Sequence, residues 1–378
     1  MRITDEQDLV DAVASAQSGL RIIGGGTRPI GNSVAGEGLE TGGLSGVTLY
    51  EPGALTLVVG AGTPLDEIET LLADEGQRLA FEPMDHRGLL ETTGRSTIGG
   101  VVAANVSGPR RMQAGACRDH LLGVRFVDGM GTVLKNGGRV MKNVTGYDLV
   151  KLMAGSFGTL GVMSEVSLKV LPAAEARAVL LINGLDDAQA VAALSAALGS
   201  PFDVTGAAHA VKGQDGAPMT MVRLEGFSDS VDYRANKLRD QLAGYGDIAI
   251  ETDPSRTKAG WKWVRDVEGF HGKAGDIWRI SLKPSDGPVA GTRLKQAYEA
   301  ELLYDWGGGL LWALVPEGVD VRVTLRGLGG HARIERASDV TKARFGAFAS
   351  QGAVLDRISA ELRGKFDPRG VLNPGLMG

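Results

Sequence analysis

The sequence predicts an α+β protein, with many short strands in its first half and a strand–helix alternation after them. Three observations carry that expectation. Glycine is abundant, 56 of 378 residues, and recurs in N-terminal loops where backbone must turn sharply or approach a ligand. Short apolar runs bounded by Gly, Pro, Asn and Asp follow one another up to Pro172, a strand-and-turn pattern rather than a βαβ series. Beyond Pro172 the periods run β-α-β-β-α-β, which is the ferredoxin-like order.

The elements follow in chain order. Residues 4–18 read as a helix, with Thr4 and Gln7 as a capping box and Leu9, Val10, Val13 and Ala14 on one face. Arg21–Ile23 is a strand entering the glycine run. Val47–Tyr50 and Leu55–Val59 are strands about the turn Glu51-Pro52-Gly53. Thr63 reads as the cap of a helix that starts at Pro64 and carries Leu65, Ile68, Leu71 and Leu72 on its apolar side. A helix of small residues follows Thr97. Leu121–Val127 and Thr132–Lys135 form a hairpin, and Asp148 caps a short helix. Val162 to Val170 alternates apolar and polar residues and stops at Pro172. The second part then predicts strands at 178–182, 204–211, 220–225 and 248–251, with helices at 186–198 and 231–243. Residues 261–337 read as a partial extension of it: strands at 277–282, 310–315 and 321–326, and a helix near 293–303. A final helix spans 353–365. The expected organisation is 1–172, 173–337 and 338–378, the last segment packing back on the first.

Composition narrows the function. At 43% hydrophobic residues the chain can support two cored domains. A net charge of −5 and the lack of basic runs exclude a nucleic-acid footprint. The N-terminus, MRITDEQDLVDAV, is acidic and amphipathic, unlike a signal peptide, and Leu310–Val315 is too short to span a bilayer. The expectation is a soluble protein on the cytoplasmic side. A single cysteine, Cys117, leaves no internal disulfide and no cysteine-ligated iron–sulfur cluster within the chain.

Three segments carry the chemistry. In RIIGGGTRPIGN (21–32) consecutive glycines after a strand let several N–H groups converge on an anion. The run fails the G-x-G-x-x-G pattern and contains no G-K-[ST], so it is neither a Rossmann fingerprint nor a P-loop; a flexible turn would also explain it. TIGGVVAANVSGP (97–109) starts a helix with small residues, which suits a flat ligand against backbone or, equally, tight helix packing. KNVTGYDLVKLMAGSFGTLGVMSEVSLKVLP (142–172) joins a polar turn, a short helix, a glycine-spaced loop and a strand.

Together, in this order and spacing, these segments resemble the FAD-binding domain of the vanillyl-alcohol oxidase/PCMH-type flavoproteins. With WKWVRDVEGF (261–270), DIWRISLKP (276–284), YDWGGGLLWAL (304–314), GGHARIERA (329–337) and KFDPRGVLNPG (365–375), the chain is similar to the FAD-binding subunits of bacterial glycolate oxidases over most of its length. The resemblance implies a PCMH-type FAD-binding domain followed by a ferredoxin-like cap. It implies that Gly24, Gly25, Gly26, Thr27 and Arg28 hold the pyrophosphate of FAD. It assigns Thr97, Gly99, Gly100, Asn105 and Gly108 to the second phosphate and flavin side, and Asn143, Phe157, Gly161 and Val162 to the cofactor border. Several relatives attach FAD through a histidine in the glycine loop; residues 22–32 contain none, and AGACRDHLLGV around Cys117 differs from the family's cysteine attachment motif, so noncovalent FAD is expected. The resemblance further implies oxidation of glycolate to glyoxylate beside a larger FAD-containing subunit and an iron–sulfur subunit, with membrane association only through that complex.

A 2-hydroxy acid needs a cation for its carboxylate and a base for its hydroxyl. Arg279, Arg326 and His331 are the candidates, each of which also reads as an ordinary ion-pairing arginine or structural histidine. The five histidines stand far apart with no metal-ligand spacing, so no metal is expected. Trp278, Trp306 and Trp312 read as core or subunit-interface anchors. The alternatives are a standalone 2-hydroxy-acid dehydrogenase and a noncatalytic electron-transfer or scaffold subunit.

Overall fold

The structure is a computed structural model that describes residues 1–139 and 146–378. Strands β1 (Leu20–Ile23) and β2 (Glu37–Glu40) form a small parallel pair beside the glycine run. Strands β3 (Val47–Glu51), β4 (Thr56–Gly60), β6 (Leu121–Val127), β7 (Val133–Gly137) and β8 (Val162–Lys169) make a five-stranded antiparallel sheet ordered β3-β4-β8-β6-β7. Between them β5 (Gln77–Arg78) pairs with β9 (Leu171–Pro172). This sheet buries Leu57, Val59, Phe126, Val166 and Leu168 against Leu65, Ile68 and Leu72 of the helix Leu65–Asp74. The sequence-predicted caps differ at two places. Asp5, not Thr4, caps the first helix, Glu6–Ser15, because its carboxylate reaches the Asp8 N–H at 2.8 Å. Thr63 caps nothing: its hydroxyl bonds the Gly60 carbonyl at 2.7 Å.

Strands β10 (Ala176–Asn183), β11 (Val204–Ala210), β12 (Met219–Gly226) and β13 (Ile248–Glu251), with helices Asp187–Leu198 and Ser228–Leu242, follow the expected β-α-β-β-α-β order. Residues 261–337 were expected as a partial extension; within them, 276–336 form a second copy of the same unit. Strands β14 (Asp276–Ser281), β15 (Glu301–Asp305), β16 (Leu310–Val315) and β17 (His331–Arg336) are interleaved with helices Gly287–Tyr298 and Val321–Thr324. The two units lie side by side in one eight-stranded sheet, β13-β10-β12-β11-β15-β16-β14-β17, joined where β11 meets β15. The second strand of each unit forms the seam.

Two local misreadings hid the repeat. Val321–Thr324, predicted as a strand from its valines, is a helical turn capped by Asp320, whose carboxylate accepts the Arg322 N–H at 3.1 Å. The helix predicted near 293–303 ends at Tyr298, where Glu299 adopts φ +54°, and ELLYD becomes β15. β16 shows why its sequence is continuously apolar. Leu310, Trp312 and Leu314 pack into the core of the first part, while Leu311, Ala313 and Val315 pack under the second unit's helices.

A buried ionic cluster fixes the large sheet on the first part. Glu82 accepts both terminal nitrogens of Arg223 at 3.0 and 2.9 Å, and Arg110 forks onto Glu225 at 2.7 and 2.8 Å. Arg177 and Arg78 reach the same Glu225 at 3.0 and 3.3 Å. Carboxylates so enclosed would be costly unpaired, so the cluster sets relative position more than it adds net stability. The C-terminal residues return as a strap: the Leu20 N–H donates to the Val371 carbonyl at 2.7 Å, and Leu372 is buried with Ile3, Leu9 and Leu39.

Candidate functional site

Two adjoining spaces hold most of the residues singled out in the sequence. The first is a cleft of about 440 Å³ between β1, the glycine run and the helix Ile98–Ala103. Gly24, Gly25, Gly26, Thr27, Arg28, Gly99, Gly100, Phe157, Gly161 and Val162 all line it. The glycine run lies against residues 94–97: a Cβ on Gly25 would sit 1.4 Å from the Arg95 carbonyl oxygen, and Gly26 takes φ +68°. Among the described residues, no acceptor meets the backbone N–H groups of Gly24, Gly25, Gly26, Thr27 or Arg28. Five consecutive free donors at a cleft wall suit a pyrophosphate. Thr97 stands behind this wall as the cap of Ile98–Ala103, its hydroxyl accepting the Gly100 N–H. Arg28 is anchored to Ser96 Oγ at 2.8 Å; burial draws its guanidinium down to about 10, so it stays cationic near neutral pH.

The strap completes the cleft. Asn373 accepts the Ile22 N–H and donates to the Phe157 carbonyl, both at 2.8 Å. None of the described residues lining the cleft is a histidine or cysteine. Cys117 is fully buried, and burial pushes its thiol well above the ordinary range, leaving it no thiolate character.

Two expected cofactor residues stand elsewhere. Asn105, at φ +48°, lines the second space, and its carboxamide oxygen accepts the Arg118 N–H. Gly108 lies outside both: its Cβ position is filled by the Glu82 carbonyl, and its own carbonyl accepts the Trp306 indole N–H at 3.1 Å. Asn143 lies outside the described residues.

The second space is a chamber of about 1160 Å³ between the first part and the face of β14, β16 and β17. It meets the cleft at Ala104 and Phe157. Phe157 holds φ +52° and is packed edge-on against Phe348, with centroids 5.1 Å apart. Arg279 and His331 both line the chamber. Arg326 does not: it is exposed beyond the helix Val321–Thr324, because that segment is helical and ends short of the sheet.

The chamber also gathers residues that the sequence reading passed over: His86, Arg111, Arg333 and Glu335. The HARIER segment held a signal for two of them, since strand alternation puts His331, Arg333 and Glu335 on one face. His86 and Arg111 come from segments without such a pattern. Arg333 pairs directly across the ladder from Arg279. Its guanidinium is forked onto Glu335 by two 2.8 Å bonds. Arg279 has no such partner among the described residues and stacks instead over Trp306 and Trp312, at 5.0 and 5.9 Å from the ring centroids. Burial and the Arg333 cation lower Arg279 to about 9, which keeps it charged at neutral pH.

The histidines are neutral there. Burial, then the Arg279, Arg333 and Arg111 cations, lower His331. His86 is held well below its ordinary value by burial, then by Arg28 and Arg333; its Nδ1 faces the Met84 carbonyl at 3.2 Å. A neutral imidazole beside guanidinium cations can accept a proton from an anion held by them. Trp261, Trp278, Trp306 and Trp312 are all buried within this chain, so the interface-anchor reading fails for them; Trp263 is half-buried. Among the described residues, no group of three or more His, Cys, Asp and Glu side chains could hold a metal, and no helix is long and apolar enough to cross a membrane.

Comparison with known proteins agrees with this geometry. Residues 1–137 match the FAD binding domain family. The chain is 36% identical to the glycolate oxidase subunit GlcE of Escherichia coli K12 over 92% of its own length and 89% of that protein. Its fold is shared with 4-ethylphenol oxidase of Gulosibacter chungangensis, at TM-score 0.72 and 14% identity over 100% of this chain and 88% of the other. It is also shared with a VAO-type flavoprotein of Myceliophthora thermophila, at TM-score 0.65 and 16% identity over 99% and 78%.

Proposed function

The chain belongs to the family of the glycolate oxidase subunit GlcE, and from that premise we propose that it is an FAD-dependent oxidoreductase for small 2-hydroxy acids, working as one subunit of a complex. The observation that carries the reading is the arginine-lined chamber opening onto the FAD cleft at Phe157. The glycine run would hold FAD noncovalently, and FAD bound there would supply a two-electron acceptor for the hydride of the hydroxyl-bearing carbon. Arg279 binds the substrate carboxylate, since its guanidinium forms no ion pair among the described residues. Neutral His331 takes the hydroxyl proton. Burial, then the Arg279 and Arg333 cations, disfavours the charged form of this imidazole, and the cations also attract the acid. Phe157, fixed by Phe348, holds the boundary between the two spaces.

Glycolate, oxidised to glyoxylate, is the substrate we favour, because the GlcE relative is named for that activity. With one cysteine in the sequence, a cluster receiving the electrons would belong to an iron–sulfur partner, and a larger flavoprotein subunit would complete the assembly at the inner face of the membrane. The scaffold alternative loses ground to the chamber, which a purely structural subunit would not need. Anaerobic mixing of the purified FAD-loaded chain with glycolate separates the readings. Bleaching of the flavin band by the chain alone supports catalysis here. No bleaching until the partners are added assigns oxidation to another subunit.

A further inference from the structure

Two guanidiniums in the chamber rest on one indole. The Cζ of Arg111 lies 4.5 Å from the Trp306 ring centroid, and the Cζ of Arg279 lies 5.0 Å from it. Neither side chain hydrogen-bonds or ion-pairs with a described residue; only burial and distant charges act on them. Arg333, the third arginine of this group, is already satisfied by Glu335. The two free cations come from opposite walls, Arg111 from the FAD-binding domain and Arg279 from β14.

Trp306 is held unusually for so large a residue. It is buried, adopts φ +53°, and is fixed by Asp305, whose carboxylate accepts its N–H at 2.7 Å. Its indole N–H crosses to the Gly108 carbonyl of the other wall at 3.1 Å. A bulky side chain in the left-handed region persists only where its surroundings over-determine it, and such strain concentrates at ligand clamps.

We propose that Arg111 and Arg279, held on Trp306, grip one substrate carboxylate from two sides, with Trp306 as the positioning residue; this rests on the chamber being the hydroxy-acid site. The spacing fits. The two Cζ atoms stand no more than about 9.5 Å apart, given their distances to a common centroid. A carboxylate bridging two guanidiniums through N–H···O⁻ bonds of about 2.8 Å needs roughly 8 Å between them. The site is therefore complete only when both walls are in register. It selects carboxylates over neutral alcohols of the same size, because an uncharged ligand would leave two half-buried cations unpaired.

The test is equilibrium binding of acetate, an unreactive carboxylate, to the FAD-loaded chain, read by perturbation of the flavin spectrum. Arg111→Gln and Trp306→Leu should each weaken acetate about tenfold or more with FAD content unchanged. Arg111→Lys should recover part of the loss, and Trp306→Phe, which keeps the ring face, most of it. The double variant Arg111→Gln/Trp306→Leu should bind no worse than the weaker single, since both remove one unit. Should Trp306→Leu fail to fold, Arg111→Gln decides alone. Wild-type acetate affinity in Arg111→Gln, with Arg279→Gln impaired, overturns the clamp and leaves the proposed function standing. Wild-type affinity in Arg279→Gln overturns both.

Discussion

The cleft and the chamber meet at Phe157, yet they are made of different material. The cleft wall is backbone: five N–H groups, without an acceptor among the described residues, on a run that packs so closely against 94–97 that a single Cβ would collide. The chamber wall is side chain: Arg111, Arg279, Arg333, His86 and His331 projected from separate helices, loops and strands. A backbone site is broken by adding atoms and a side-chain site by removing them. The two regions should therefore fail in opposite ways.

The largest effect belongs to the cleft. Gly25→Val places methyl groups into the Arg95 carbonyl, so the two loops must part, and the flavin content of the purified chain should fall below about a tenth of wild type. Far-UV circular dichroism should stay nearly unchanged. Full flavin occupancy in this variant would mean that the cradle lies elsewhere.

Removal on the chamber side should spare the cofactor. Arg279→Gln should purify with full FAD and lose about 2–4 kcal/mol of transition-state binding, roughly 30- to 1000-fold in kcat/KM for the hydroxy acid. His331 sharpens the same contrast through pH. Only its neutral form accepts a proton, so the rate should fall as pH drops through a value below the ordinary 6.5, and His331→Gln should abolish that acid limb. An unaltered pH profile in His331→Gln would remove it from the chemistry.

The ionic cluster that sets the two regions against each other predicts a loss of stability instead. Glu225→Gln leaves Arg78, Arg110, Arg177 and Arg223 around a neutral amide and should cost about 3–5 kcal/mol in denaturant unfolding. Burial alone would raise the Glu82 and Glu225 carboxyls, but the surrounding guanidiniums outweigh it and hold both low. Their contribution is fully present above the unfolded value near 4.5 and is lost as pH falls below it towards the depressed folded values. Wild type should thus lose stability below about pH 4.5, and Glu225→Gln should lose less over that range. The smallest effect belongs to Arg326. Exposed and outside the chamber, its change to Gln should leave kcat/KM and stability within about 0.5 kcal/mol of wild type.

The same contrast explains what could be read from sequence. The glycines Gly24, Gly25, Gly26, Gly99 and Gly100 stood out in the sequence because close backbone approach admits few residue types, and the structure sets them along one cleft. Arg111 and His86 did not, since an arginine between Arg110 and Met112, or a histidine after Asp85, reads like any surface residue until the chain closes. His331 and Arg279 fell between these cases: strand position identified them, and only the ladder pairing of β14 with β17 brought them to one face. Arg326 was misjudged for a related reason. Valines at 321 and 323 suggested a strand, but Asp320 was able to cap a helical turn. The repeated β-α-β-β-α-β unit shows only in the order of its elements, so misreading Val321–Thr324 as a strand and Glu301–Asp305 as the end of a helix was enough to hide it.

The strap through Val371, Leu372 and Asn373 has a consequence for biogenesis. Its partners Leu20, Ile22 and Phe157 leave the ribosome long before it does. Throughout translation, then, the nascent chain carries the glycine run with one side undocked, and the mature cleft closes only after Asn373 has been made.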